Sequence, residues 1–545
     1  MTIQPLQSRT ERYLVSAPQT LPAGLEPVDL DILASEIFPN LDIELLDKIP
    51  SVPGKGESEQ TEFLVASMTF ERFEQLSKLY EDRLIIEEDT ILDIFQSNST
   101  ELPIEQYFDL NSIPLNGQEL SVKLVVKGGN PAQPVKNAKV YVIGSIWFAN
   151  GITDNEGKIT LSLYGETVDT LRSLYVKPAN SYWSYWLDKP DVKQDEENLI
   201  SLQSLSDQFP QFPQQEMYGW GQKAMNLDSA KIPYKGTGVK IGIIDSGLYT
   251  EHQDLGDRKD GNDFTKDASE TSWRKDIVGH GSHVAGIIAG LHESTGIKGF
   301  APDSDIYVYK VFPGGRFSDL IKGLNKCIEN QVDVVNLSLG SKKRSEILAQ
   351  KITDATNRGV ACIAAAGNSA TKIQYPAAFD EVLAVAAIGQ FATFPENSYH
   401  KRQVGEYKSK DEKYFTARFT CFAEEGQTMD VCAPGVAIIS SIPDKPDAYA
   451  AWDGTSMACP HVVGLAALII EAREDIRDMP RNRQRVEALF TAIRDSAIDI
   501  ALPSEYQGKG LPDTQKALKI SSIPGNKWQK IEELLTEALQ LLSVR

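Results

Sequence analysis

The sequence predicts an α/β protein: a doubly wound parallel sheet, preceded by a small α+β unit and a small β-sandwich. Three observations carry this prediction. From residue 239 onward, apolar runs of strand length alternate with helical stretches, and continuously apolar strands mean burial on both faces. Residues 12–95 read in the order βαββαβ. Residues 118–185 alternate apolar and polar, with turn signals and no helical run between them. A chain of 545 residues has room for about three to five domains and a sizeable core.

In the first unit, residues 12–17 (RYLVSA) are a short β run and residues 28–38 have helical spacing. Residues 41–46 and 62–68 (EFLVASM) read as strands. Residues 70–81 place Phe70, Phe73, Leu76 and Leu79 on one helical face. Residues 83–95 alternate and close the unit as a strand. This is the order of a small ferredoxin-like unit, set at 1–95, with a linker at 96–117. In the second unit, residues 119–127 (ELSVKLVVK), 140–143 and 159–163 are β-like, with Asp154-Asn155-Glu156-Gly157 among the turns. The sandwich is set at 118–190. Residues 191–213 are polar and rich in Pro and Gln, so they are expected to be an exposed linker. The third unit, 214–523, has strands at 239–244, 305–312, 332–339, 360–366 and 382–388. Its helices fall at 281–290, 318–330 and 344–358. In such sheets the site lies at the carboxyl ends of the strands. The final segment, 524–545, carries an amphipathic helix at 527–542.

The net charge is −21. A phosphate backbone would be repelled, so no nucleic acid is expected as partner. An anionic membrane surface is disfavoured too. No run of about 18 apolar residues is read, so no membrane span is expected. Cys327, Cys362, Cys421, Cys432 and Cys459 make an odd, irregular set without a CxxC pair, which fits neither a disulfide framework nor zinc. The first 25 residues lack a basic start followed by an apolar core, so no signal peptide is read. The expected location is the cytoplasm.

Three segments carry chemistry. In Ile243-Ile244-Asp245-Ser246-Gly247, Asp245 stands where a buried strand ends. On its own it reads as a turn or cap residue. In Gly279-His280-Gly281-Ser282-His283, small residues around His280 let another backbone come close. A metal at His280 and His283 lacks a third ligand nearby. In Gly454-Thr455-Ser456-Met457-Ala458-Cys459-Pro460-His461, Ser456 opens a very apolar helix, whose positive end favours an oxyanion. Together they make one machine. A nucleophilic serine needs a base within hydrogen-bond reach, and the base needs a carboxylate to fix its tautomer. His280 follows Asp245 by 35 residues, and Ser456 follows His280 by 176. A fourth segment, Ala364-Ala365-Ala366-Gly367-Asn368, ends another strand. The Asn368 amide and the Ser456 N–H can hold a tetrahedral oxyanion between them.

These four segments, in this order and at this spacing, resemble the subtilisin family of serine peptidases over residues 214–520. The resemblance implies a serine endopeptidase with Asp245, His280 and Ser456 as triad and Asn368 at the oxyanion. Ser338-Leu339-Gly340 resembles the family strand that pairs with substrate backbone. Gly367 and Gln374 are expected beside the first specificity pocket. Cys459 departs from the small hydroxyl residue common there. Residues 394–417, with nine charged residues in 24, read as an extra, solvated loop open to nicking. A calcium site is implied at Gln214, Asp254, Leu291, Glu293, Thr295 and Ile297, with Asp254 and Glu293 as carboxylates. Residues 70–89 resemble the end of the family's inhibitory prodomain, which makes the chain's own prodomain a partner. Residues 135–140 and 153–157 resemble the carboxypeptidase-regulatory-like sandwich.

The function expected is a serine endopeptidase acting on peptide or protein substrates and made as a zymogen-like precursor. A precursor-peptide maturation protease is one role. General cytoplasmic protein turnover and a non-catalytic peptide-binding scaffold are the alternatives, and the intact triad speaks against the scaffold. Self-cleavage is expected at 96–105, which keeps the sandwich, in preference to 202–215, which would release it.

Overall fold

A computed structural model describes residues 9–54, 60–95, 119–228 and 232–520, apart from 257, 259 and 267. The helix expected at 527–542 and the linker expected at 96–117 lie outside the described residues.

The first unit is a four-stranded antiparallel sheet in the order Glu44–Pro50, Thr61–Thr69, Thr10–Ser16, Ile85–Glu88. The spacing of apolar residues builds its core: Leu33, Phe38, Leu64, Ala66, Met68 and Leu76 are all buried in one cluster. The helix Phe70–Leu79 is opened by Thr69, whose hydroxyl accepts the Arg72 N–H. The strand expected at 83–95 is divided. Its end, Asp93–Ile94, leaves this sheet and pairs with Leu339–Gly340 of the third unit.

The second unit has two sheets. One centres on Glu119–Gly128, flanked by Lys158–Tyr164 and Glu197–Leu202. The other runs Tyr185–Asp188, Ser173–Lys177, Lys139–Ile143, Phe148–Ile152. Their inner faces share one core, from Val122 and Leu124 to Val140, Val142, Leu174 and Val176. The linker expected at 191–213 is corrected here. Glu197–Leu202 is a parallel strand of the first of these sheets. Leu205 and Phe212 are buried in the core of the third unit. Polar composition hid an alternating strand in which only Ile200 and Leu202 face inward.

The third unit is built on a nine-stranded sheet. Its main path begins Asp260–Asp263, Asp305–Lys310, Lys240–Asp245, Val334–Leu337, Ala361–Ala365, Val382–Gln390, all parallel. The far edge is antiparallel, through Tyr414–Ala417 and Val404–Lys408, so the sheet is mixed. These two strands belong to the segment expected to be a solvated loop. The segment is instead structured, with Tyr414, Phe415 and His400 buried. Its charged residues are exposed or half-buried, and Arg402 pairs with Asp188 of the second unit.

The helix Thr455–Ala472 is 18 residues long and apolar enough to cross a membrane by length and composition, contrary to the expectation that no such run exists. It is a core helix, buried from Thr455 to Ile470.

Candidate active site

The strand Lys240–Asp245 ends in Asp245, which is fully buried. The helix His280–Ala289 starts beside it. Gly281 makes this possible, because a Cβ there would collide with the Gly247 carbonyl. His280 Nδ1 lies 2.8 and 2.9 Å from the two Asp245 carboxylate oxygens. His280 Nε2 has no hydrogen-bond partner.

Sequence reasoning missed Asp276, which frames this corner. Its Oδ1 accepts from the Gly279 N–H (2.7 Å) and the Ser246 hydroxyl (2.9 Å). Its Oδ2 accepts from the Ser282 N–H (2.9 Å) and hydroxyl (2.7 Å). The Ser246 hydroxyl in turn accepts the Gly281 N–H. A carboxylate just ahead of a helix start was the available signal.

Ser456 begins the core helix and is fully buried. Its hydroxyl donates to the Ser338 carbonyl (2.9 Å), and the Ser338 hydroxyl donates back to the Ser456 carbonyl (3.0 Å). Asn368 follows the strand Ala361–Ala365. Its Oδ1 accepts from the Thr455 N–H (3.0 Å) and hydroxyl (2.8 Å), while its buried Nδ2 has no partner. Thr455 thus fixes which way the amide points.

The cleft holds a piece of the same chain. Leu339 pairs with Ile94 and Gly340 with Asp93. The Phe95 N–H donates to the Ser338 carbonyl (3.4 Å), and the Ser456 N–H donates to the Phe95 carbonyl (3.2 Å). The Phe95 ring is buried against Gly340, where a Cβ would come within 2.7 Å of it. Gly367 donates its N–H to the Thr455 hydroxyl (3.2 Å) and packs over the side chain of buried Gln374. Gln374 is held by the Ser369 hydroxyl (2.7 Å). The buried Cys459 thiol donates to the Ile363 carbonyl (3.3 Å), and burial pushes its pKa up.

The family model described as "Subtilase family" matches residues 236–510, half of the chain. Subtilisin from Bacillus pumilus is 36% identical over 292 residues, covering 52% of this chain and 92% of its own length. Subtilisin E from Bacillus subtilis (strain 168) is 35% identical over 316 residues, 56% of this chain and 72% of the relative. An alkaline protease from Alkalihalobacillus alcalophilus is 38% identical over 316 residues, 57% and 68% of the two chains.

The chain belongs to the subtilase family. It is a serine endopeptidase.

Of the two carboxylates in the calcium set expected for this subtilase, Asp254 is buried and Glu293 is exposed. The Asp254 carboxylate is saturated by protein donors: the Ile297 N–H (2.9 Å), the Ser441 hydroxyl (3.4 Å) and the Tyr449 hydroxyl. Burial raises its pKa to about 7. Gln214 is exposed as well, and Leu291, Thr295 and Ile297 belong to the expected set through their backbone carbonyls. Among the described residues, no group of three His, Cys, Asp or Glu is placed to hold a metal.

Proposed function

We propose that this subtilase is made as a self-inhibited precursor whose own first unit fills the active site. The observation that carries the reading is the Phe95 carbonyl hydrogen-bonded to the Ser456 N–H, with residues 93–95 lying along Ser338–Gly340 as a substrate strand. In this reading His280 takes the proton from the Ser456 hydroxyl as Ser456 attacks the peptide carbonyl. Asp245 holds the imidazole tautomer and steadies the imidazolium. The Asn368 amide and the Ser456 N–H receive the oxyanion. An acyl-enzyme forms, the amine leaves with the proton from His280, and water releases the acid. The Ser456 hydroxyl donates to the Ser338 carbonyl, so in this reading that hydrogen bond must break before the proton passes to His280.

The scissile bond is then Phe95–Gln96, at the edge of the 96–105 region. The alternative region at 202–215 is a poor target, because Leu202, Leu205 and Phe212 are buried. The buried Phe95 ring supports a preference for large apolar side chains before the cut. Five buried free thiols suit the reducing compartment proposed for the enzyme. Mass spectrometry of the wild type and of Ser456→Ala tests the reading. A new terminus after Phe95 is expected in the wild type alone. A cut in both proteins, or an uncut wild type with full activity, overturns it. The wider role proposed is maturation of a precursor peptide. A peptide-library profile with one narrow motif supports that role, and broad cutting after large apolar residues assigns general turnover instead.

A further inference from the structure

A second histidine–aspartate pair lies close to the nucleophile in sequence. His400 Nδ1 is 2.7 Å from Asp453 Oδ1, and both residues are fully buried. Asp453 stands three residues before Ser456. The same carboxylate oxygen accepts the Ala437 N–H at 2.7 Å, and the Gly454 N–H donates to the Gly435 carbonyl at 2.8 Å. The turn that delivers Ser456 is therefore tied on one side to residues 435–437 and on the other to His400. His400 Nε2 and Asp453 Oδ2 have no other hydrogen-bond partner, so this one bond holds the pair together.

His400 comes from the inserted segment 394–417, and the two-sheet unit covers it. The Trp183 ring meets His400 edge-on at 5.5 Å. Tyr399 packs against Tyr175 (4.8 Å) and Trp186 (5.6 Å). The Trp186 N–H donates to the Asn397 carbonyl (2.8 Å), and the Ser181 N–H to the Tyr449 carbonyl (2.8 Å). Arg402 pairs with Asp188 (3.1 Å) and lies over the Trp186 ring (4.6 Å). Trp183 belongs to the same apolar core as the nine-stranded sheet.

We propose that the two-sheet unit is a permanent working part of the mature enzyme, and that His400 is a positioning residue. Held in place by Trp183 and the Tyr399 cluster, His400 fixes the Asp453 carboxylate. Asp453 in turn fixes the start of the nucleophile helix. Removing the imidazole leaves a buried carboxylate short of a partner beside the turn, which costs orientation of Ser456 more than substrate binding. The substrate strand at Ser338–Gly340 is untouched, so KM should hold while kcat falls.

This inference rests on Ser456 being the nucleophile, and the test separates the two ideas. Full-length wild type, His400→Phe, His400→Asn, Arg402→Ala and Ser456→Ala are compared on a chromogenic peptide with phenylalanine before the cut. Labelling of Ser456 by a small sulfonyl fluoride is followed in parallel. His400→Phe should lose about tenfold to a hundredfold in kcat, with KM nearly unchanged and labelling slowed alike. His400→Asn, which can still donate to Asp453, should recover most of the loss. The active species should retain residues 119–202 by mass. Wild-type kcat in a folded His400→Phe protein overturns the proposal, as does an active species lacking the two-sheet unit. Failure of Asn to rescue assigns His400 a structural role only and overturns it too. If His400→Phe does not fold, Arg402→Ala decides, because it loosens the rim alone: a partial fall in kcat supports the proposal and an unchanged kcat refutes it. Activity or labelling surviving in Ser456→Ala would instead sink the nucleophile assignment.

Discussion

At the Asn368 side chain two hydrogen bonds from Thr455 occupy the oxygen and leave the nitrogen pointing free. A donor held this way needs no reorganisation when charge develops on the substrate, which is how such groups lower a barrier. Asn368→Leu keeps the volume and deletes the donor, so kcat should fall about 10²- to 10³-fold with KM little changed. Ser456→Ala should cost about 10⁶ in kcat, the magnitude known for the subtilisin serine. Steady-state kinetics on one peptide checks both, and an Asn368→Leu enzyme with normal kcat would remove Asn368 from the site. Asp245, His280, Ser456 and Asn368 were legible in the sequence because each closes a buried strand or opens a helix in a run of small residues. Phe95, Asp276, His400 and Asp453 were not. Their partners lie far off in the chain, and no local spacing records a long-range hydrogen bond.

The central strands of the third unit were legible to within a residue or two, because a strand buried on both faces is apolar throughout, whereas the edge strands Asp260–Asp263, Val404–Lys408 and Tyr414–Ala417 were not. Alternating segments were harder. Residues 83–95 alternate evenly, yet their two halves pair with different sheets, and alternation does not name a partner. Between those halves the chain presents two carboxylates to helix starts. Glu87 accepts from the Glu346 N–H (2.9 Å) and the Ser345 hydroxyl at the head of Glu346–Asn357. Asp89 accepts from the Ser318 N–H (3.0 Å) and hydroxyl (2.9 Å) at the head of Phe317–Glu329. Each acts as a cap supplied by another unit, worth about 1 kcal/mol. Glu87→Gln and Asp89→Asn should therefore each speed dissociation of the cleaved first unit about fivefold. Release can be timed by the return of peptidase activity after the cut. Equal release times in all three proteins would show that these caps hold nothing.

Across the whole molecule, acid stability depends on buried histidines that the fold keeps neutral. Burial lowers His461 to about 4 and His283 to about 3. A histidine whose folded pKa is depressed lends stability above the unfolded value near 6.5, and that stability is lost as pH falls through the folded value. Asp254 and Asp319, raised by burial to about 7 and about 6, act in the opposite sense, so the net profile mixes both. A difference measurement isolates one group. In a Ser456→Ala background, the penalty of His461→Gln should shrink by about 1.4 kcal/mol per pH unit between pH 6.5 and 4. Urea unfolding at several pH values measures it, and a constant penalty would refute a neutral His461. The sequence placed this histidine five residues after Ser456 but gave no sign of its charge, which burial keeps neutral against the opposing pull of the Met457 carbonyl.

On the self-inhibited reading proposed above, the strand of residues 93–95 lying in the cleft also sets the tempo of activation. Before the cut, blocker and enzyme are one chain, so dilution cannot separate them. Afterwards they are two molecules, and the block becomes an ordinary binding equilibrium that weakens as the solution thins. Any enzyme that sheds its blocker can digest the blockers of its neighbours. Fresh precursor should thus sit silent for a time and then switch on steeply. That delay shortens as more enzyme is present, and a trace of finished enzyme added at the start abolishes it.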